Sequence, residues 1–244
     1  MEKKVSLVTN ATGYAGPGAV MGLLAEGMIV ACSDSCFTDA DTATRFVAGR
    51  PDTYAFGETE PSLLIARVLE QFGRIDALVS NDIIPKPLRP IEGSSVADLR
   101  EVLEAGMVYP FELSQAILPH MRERQSGAII FITSSSARYP MGQAAIYGAA
   151  RAAATAYAIA LGQAVGPSNI QVNVIGPNWM QNPTYFPDQW EDMMPGFKRK
   201  LDTEIPLRRL GRPDEVGALI GLLASQRAMP LTAQFIAFAA GAYP

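Results

Sequence analysis

Residues 4–18 read KVSLVTNATGYAGPG. A short apolar, partly β-branched run breaks into a turn carrying Gly13, Gly16, Pro17 and Gly18, and a helical stretch follows. Six further apolar runs recur along the chain: MIVAC (28–32), TYAF (53–56), DALVS (76–80), AIIFIT (128–133), IQVNVI (170–175) and QFIAFA (234–239). Between most of them lie segments of helical periodicity, such as SLLIARVLEQF (62–72) and the long stretch from Ser95 to Glu123. This alternation predicts an α/β fold, a doubly wound parallel sheet of about seven strands with helices on both faces. Strands that are apolar throughout, rather than alternating, belong to a sheet covered on both sides. No repeat, low-complexity tract or Ser/Gly-rich linker divides residues 1–244, so a single domain is expected. Sheets of this kind bind ligands beyond the carboxyl ends of their strands.

Composition narrows the function classes. Of 244 residues, 48% are apolar and 18% charged, with a net charge of −4, enough apolar side chain for a sizeable core and too little charge for disorder. No apolar run approaches the ~18 residues of a membrane span, and the apolar stretch near the N-terminus is too short for a signal peptide. A mildly acidic chain with one histidine and no lysine run gives no support to nucleic-acid binding. Cys32 and Cys36, spaced C-x₃-C with no second pair, read as reduced thiols of a cytoplasmic protein and not as metal ligands.

The turn after the first strand is where a dinucleotide-binding fold keeps glycines, so that a pyrophosphate can approach a helix N-terminus. Thr9–Gly18 resembles the TGxxxGxG turn of short-chain dehydrogenases. Aligned on Thr9, however, Asn10 and Tyr14 stand where two of the glycines belong, and only Gly16 keeps register. A tyrosine fills with a ring the space a glycine leaves open. A one-residue shift onto Gly13 is the alternative that would keep the cofactor. Asp34 falls where that family binds the adenosine ribose, although an aspartate after a strand is commonly a turn or cap residue.

Ser134 directly follows the fifth run, Tyr147 comes thirteen residues later, and Arg151 lies one helical turn beyond on the same face. The set resembles the Ser-Tyr-Lys group of short-chain dehydrogenases with arginine in place of lysine. A fixed cation favours a phenolate, yet a guanidinium is a planar, forked donor that does not replace an ammonium group for group. Asp82, in Ser80-Asn81-Asp82, stands where an Asn-Ala-Gly signal is expected and offers a carboxylate to that arginine. The helical segment from about Val96 to Met121 has no asparagine, the fourth member of the dehydrogenase tetrad.

Tyr14, Arg151 and Asp82 together resemble one branch of the superfamily, the halohydrin dehalogenases. The resemblance implies a Rossmann-like fold and catalysis by Ser134, Tyr147 and Arg151 with Asp82. It implies no nicotinamide cofactor and no metal, and a halide site at Tyr14, Pro177, Asn178, Trp179 and Met180. Pro85, Tyr139, Tyr185 and Phe186 are expected to line the substrate. The loop GPNWMQNPTYFP (176–187), within a substrate and halide segment at about 176–195, resembles the family's halide-binding loop. From Gly176 to Trp190 it contains no lysine or arginine, so it is ill suited to pyrophosphate, whereas backbone N–H groups and aromatic edges can hold a single polarisable anion and release it. A lid or a subunit contact would use the same aromatic composition.

The activity implied is conversion of vicinal haloalcohols to epoxides with halide release, and ring opening by halide, azide, cyanide or nitrite in reverse. Two other readings stay open: an NAD(P)-dependent oxidoreductase with a degenerate turn, and a non-catalytic, small-molecule-binding relic. The alanine-rich stretch from Ala144 to Val165, taken with the resemblance, implies a homo-oligomer, a homotetramer in that family. His120 and Trp190 read as packing residues.

Overall fold

The computed structural model describes residues 2–83 and 91–242. Seven strands, β1 (Val5–Thr9), β2 (Ile29–Ser33), β3 (Thr53–Phe56), β4 (Ala77–Ser80), β5 (Gly127–Ile132), β6 (Ile170–Pro177) and β7 (Phe235–Phe238), form one sheet in the order β3-β2-β1-β4-β5-β6-β7. Every neighbouring pair is parallel. Each of the seven apolar runs becomes one of these strands, with ends displaced by no more than two residues.

The helices are α1 (Gly16–Ala25), α2 (Ala40–Val47), α3 (Pro61–Phe72), α4 (Val96–Leu103), α5 (Tyr109–Arg124), α6 (Ala145–Val165), α7 (Trp190–Met193), α8 (Pro195–Glu204) and α9 (Pro213–Ala224). Side chains alternate across the pleat and feed two apolar layers. Val8, Ile130 and Ile132 pack with Ala19 and Leu23 of α1 and Val216 and Ile220 of α9. Leu7, Ile129 and Phe131 pack with Leu64 of α3, Leu113 and Ile117 of α5, and Ala158 and Leu161 of α6. Full burial contributes about 1.5–3 kcal/mol for each large aliphatic side chain, so the two layers carry the fold. The α1–α9 crossing is close enough that a Cβ on Gly22 would lie 1.8 Å from the Gly217 carbonyl oxygen.

Two expectations are corrected. The stretch from Val96 to Met121 is not one regular helix: residues Glu104–Val108 form a π-helical turn between α4 and α5. Pro110 has no N–H to donate to Gly106, which removes an α-helical bond at that point. Gly106 there approaches α6, where an added Cβ would lie 3.4 Å from the Ala150 methyl group. The segment Gly142–Ser168, which includes α6, has the length and apolar composition of a membrane span, contrary to the reading of the apolar runs. In the fold one face of α6 belongs to the core, with Ala154, Ala158, Leu161 and Val165 buried and α6 lying against β6.

Strand order reverses between β1 and β4, and the crevice at that switch point is where such sheets take ligands. Asn10, Asn81 and Asp82 leave β1 and β4 there, with Ser134 one strand over at the end of β5.

Candidate active site

Three elements place the catalytic candidates. Ser134 follows β5 in extended backbone and caps a short 3₁₀ turn, Ser135–Ala137. Its Oγ accepts from the Ser136 amide at 3.1 Å and from the Ser136 hydroxyl at 2.9 Å. With both acceptor positions used, the Ser134 O–H remains to donate outward. Ser136, which the sequence reading passed over, thereby sets the polarity of Ser134. Ser135 donates to the Gly176 carbonyl at 2.8 Å, tying the serine turn to the start of the 176–190 loop.

Tyr147 and Arg151 project from the first turns of α6. Tyr147 is half-buried, whereas Arg151 is only 2% exposed. The guanidinium carbon lies 5.3 Å from the centre of the Tyr147 ring. Arg151 Nη1 donates to the Asp82 main-chain carbonyl at 2.7 Å, while Nε and Nη2 are buried with no acceptor among the described residues. The expectation that the Asp82 carboxylate grips the arginine is therefore corrected. That carboxylate accepts from Ser80 Oγ at 2.6 Å, because the chain turns after β4 so that the carbonyl, not the side chain, faces α6. Burial pushes the Asp82 carboxyl up to about 6, against the opposing pull of the Ser80 and Thr9 hydroxyls and of the Arg151 charge.

Tyr14 and Tyr185 meet edge to face at 5.9 Å, and Tyr14 packs with Met180 in the same cluster. The Tyr14 hydroxyl lies 3.5 Å from the Thr133 carbonyl. Burial, reinforced by the facing Tyr147, raises both phenols well above their ordinary value, so they stay protonated donors and not bases. Burial disfavours the Arg151 charge, but the surrounding phenols, Tyr147 foremost, outweigh it and hold the guanidinium above its ordinary value. Tyr147 is the tyrosine whose ring lies over the Arg151 guanidinium.

The backbone N–H groups around the crevice fall into two classes. From Ala11 to Gly16 each is already satisfied: Ala11 by Ser33 O, Thr12 by the Asp34 carboxylate, Gly13 by Asn10 O, Tyr14 by Thr184 Oγ1, Ala15 by Asn81 Oδ1 and Gly16 by Gly13 O. A dinucleotide turn works by offering such donors to pyrophosphate, and none from Ala11 to Gly16 is left. Asp34 is held by Thr12 Oγ1 at 2.7 Å and by the Cys36 amide, the bonds of a turn and cap residue. Tyr14, at φ +44° and 5% exposed, occupies a glycine position in a left-handed conformation unusual for a bulky side chain. The residues present do not fit a nicotinamide dinucleotide.

The 176–190 loop behaves differently. Asn178 N–H goes to Phe238 O, Trp179 to Asn178 Oδ1, Gln181 to Gly211 O, Asn182 to Phe186 O, Thr184 and Tyr185 to Asn182 Oδ1, and Phe186 to Asn182 O. Met180 alone among the N–H groups from 178 to 186 has no acceptor among the described residues, although the residue is 2% exposed. Buried amides are nearly always paired, so an open one, on a residue whose side chain belongs to the cluster of Tyr14 and Tyr185, is a candidate anion donor. Trp179, at φ +54°, turns the backbone just before this amide.

Not every expected residue joins this site. The Trp179 indole packs with Phe186 at 6.4 Å and Phe197 at 5.3 Å, in an apolar cluster with Trp190 that is separate from the Tyr14 cluster. Lys200 Nζ lies 5.1 Å from the Trp179 ring, so α8 brings a cation to a loop that has none of its own. Tyr139 is half-buried at the end of the serine turn, its N–H on the Ser135 carbonyl. Pro177 ends β6 beside Phe238. Pro85 lies outside the described residues. His120 accepts from the Ile75 amide at 3.2 Å, away from the crevice.

Comparison with known proteins agrees with this geometry. Residues 58–242 match the family model described as enoyl-(acyl carrier protein) reductase, of the short-chain dehydrogenase type. A 3-oxoacyl-[acyl-carrier-protein] reductase of Thermotoga maritima is 25% identical over 247 residues, covering 99% of this chain and 98% of that protein. A solved structure described as a dehalogenation enzyme is 34% identical with a TM-score of 0.95, covering 99% of both chains. A halohydrin dehalogenase bound to ethyl (2S)-oxiran-2-ylacetate is 36% identical with a TM-score of 0.93, covering 98% of this chain and 96% of that one. The chain belongs to the halohydrin dehalogenase family, within the short-chain dehydrogenase/reductase superfamily.

Proposed function

We propose that this protein converts vicinal haloalcohols to epoxides without a nicotinamide, and catalyses the reverse opening of epoxides by small anions. The observation that carries the reading is the contrast between the first turn, whose amides from Ala11 to Gly16 are all satisfied, and the single open amide of Met180. A first turn whose Ala11–Gly16 amides are spent, with an open Met180 amide on a residue of the apolar cluster that holds Tyr14, suits a single-charged leaving group.

In this reading the Ser134 hydroxyl donates to the substrate oxygen. Tyr147, whose ring centre lies 5.3 Å from the buried Arg151 guanidinium carbon, removes the hydroxyl proton. The alkoxide forms a C–O bond at the neighbouring carbon as the C–halogen bond breaks, and the electron pair leaves with the halide. The departing anion meets the Met180 N–H, with Tyr14, Tyr185, Pro177 and Asn178 around it. In-line positioning and a general base supply the rate gain. The halohydrin dehalogenase bound to an epoxide supports a small-molecule substrate of this class.

The test is halide and proton release from 1,3-dichloro-2-propanol in weak buffer with no nicotinamide present. Stoichiometric release that Tyr147→Phe abolishes supports the proposal. No release over several vicinal haloalcohols, together with oxidation of NADPH by a carbonyl substrate, would return the chain to the chemistry named for its reductase relatives.

A further inference from the structure

We infer that Asn182 and Thr184, which the catalytic scheme does not use, are positioning residues that set the affinity of the anion site. The inference rests on the dehalogenase reading. Asn182 is 4% exposed, and three hydrogen bonds converge on its side chain. Its Nδ2 donates to the Met180 carbonyl at 2.6 Å, and its Oδ1 accepts from the Thr184 amide at 3.0 Å and the Tyr185 amide at 2.8 Å. One side chain therefore fixes the residue bearing the open amide and the residue bearing one aromatic wall.

Thr184 extends this link to the other wall. Its Oγ1 accepts from the Tyr14 amide at 2.9 Å, the only side-chain bond between the first turn and the 176–190 loop among the described residues. Tyr14 sits at φ +44°, where a non-glycine residue is held only by its surroundings. Withdrawing the acceptor leaves a buried amide unpaired and frees Tyr14 to move away from Tyr185. Neither Asn182 nor Thr184 bonds to Ser134, Tyr147 or Arg151 among the described residues, so the effect is expected on anion binding and not on proton transfer.

The isosteric pair Thr184→Val and Thr184→Ser tests this, with bromide as the probe, read by thermal shift and by the KM for bromide in epoxide opening. Valine keeps the shape and deletes the acceptor; serine keeps the acceptor. Thr184→Val is expected to weaken bromide roughly tenfold, the equivalent of one hydrogen bond, while kcat at saturating bromide and the epoxide KM stay within about threefold. Thr184→Ser is expected within about twofold of the parent. In Asn182→Asp the donor to Met180 is lost and a charge is added, and a larger loss of bromide affinity is expected. Equal bromide affinity in Thr184→Val and the parent, equal impairment in both Thr184 variants, or a fall in kcat with unchanged bromide KM would overturn the inference alone. A parent enzyme that neither binds bromide nor releases halide would overturn the dehalogenase reading, and this inference with it.

Discussion

Arg151 is anchored by the main-chain carbonyl of Asp82, 2.7 Å from Nη1, while the Asp82 carboxylate turns to Ser80. The two functions of Asp82 can therefore be separated by mutation. Asp82→Asn keeps the carbonyl that locates the guanidinium and removes only the charge. Burial raises the wild-type carboxyl to about 6, so it is ionised above that pH and protonated below it. At pH 8 the variant leaves the buried guanidinium without a compensating carboxylate, and kcat/KM is expected to fall by about 10–100-fold. Near pH 5, where both proteins are neutral at this position, their rates should converge; a constant ratio across pH would assign the loss to packing.

Ser134→Ala removes the outward-directed hydroxyl that Ser136 leaves free to donate. Loss of a positioned donor should lower kcat for halide release by about 10²–10⁴-fold, as for other groups acting at the transferred proton. Ser136→Ala should show a smaller loss, because Ser134 is then free to rotate. Steady-state halide release from one haloalcohol measures both.

Tyr14 gives a test of backbone strain. At φ +44° a glycine is at ease and an alanine is not. Tyr14→Gly and Tyr14→Ala both lose the ring, yet the glycine variant should be the more stable by about 1 kcal/mol, reversing the usual order. Urea unfolding midpoints measure the difference. Both variants should lose bromide binding.

Asp76 links β4 to its surroundings far from the site. Its buried carboxylate accepts from the Val5 amide at 2.8 Å and pairs with Arg74 at 2.7 Å and Arg124 at 3.0 Å. Burial opposes ionisation, but these partners outweigh it and hold the group below the usual carboxylate range. A depressed acid stabilises above its unfolded pKa of ~3.9 and loses that contribution as pH falls through the folded value. Asp76→Asn should cost about 2 kcal/mol at pH 7, with the difference from the parent shrinking below about pH 4. Thermal unfolding at the two pH values measures it.

How much of this was legible in the sequence follows from which forces are local. Strands such as AIIFIT and IQVNVI announce themselves because a doubly covered sheet requires continuous apolar runs. Tyr147 and Arg151 could be paired because helical spacing alone puts them on one face. The carbonyl contact of Asp82 could not be read, because it depends on how the chain turns after Ser80. Met180 was singled out with its loop, but not its open amide, which becomes visible only when the acceptors supplied by Phe238, Gly211 and Asn182 are in place. Lys200 reaches Trp179 from a different helix, and the π-helical turn at 104–108 arises where Pro110 interrupts a pattern that looks uniformly helical. Residue types foreshadowed the chemistry of the site; its hydrogen-bond vacancies are long-range products of the fold.

The central claim is that an anion, and not a nicotinamide ring, occupies the space beside Tyr14. A crystal of the protein soaked in bromide, recorded at the bromine absorption edge, tests it directly. The account predicts an anomalous peak within hydrogen-bonding range of the Met180 amide, beside the Tyr14 and Tyr185 rings. A peak-free loop in bromide, with NADPH in a parallel soak lying across an opened first turn, would contradict it.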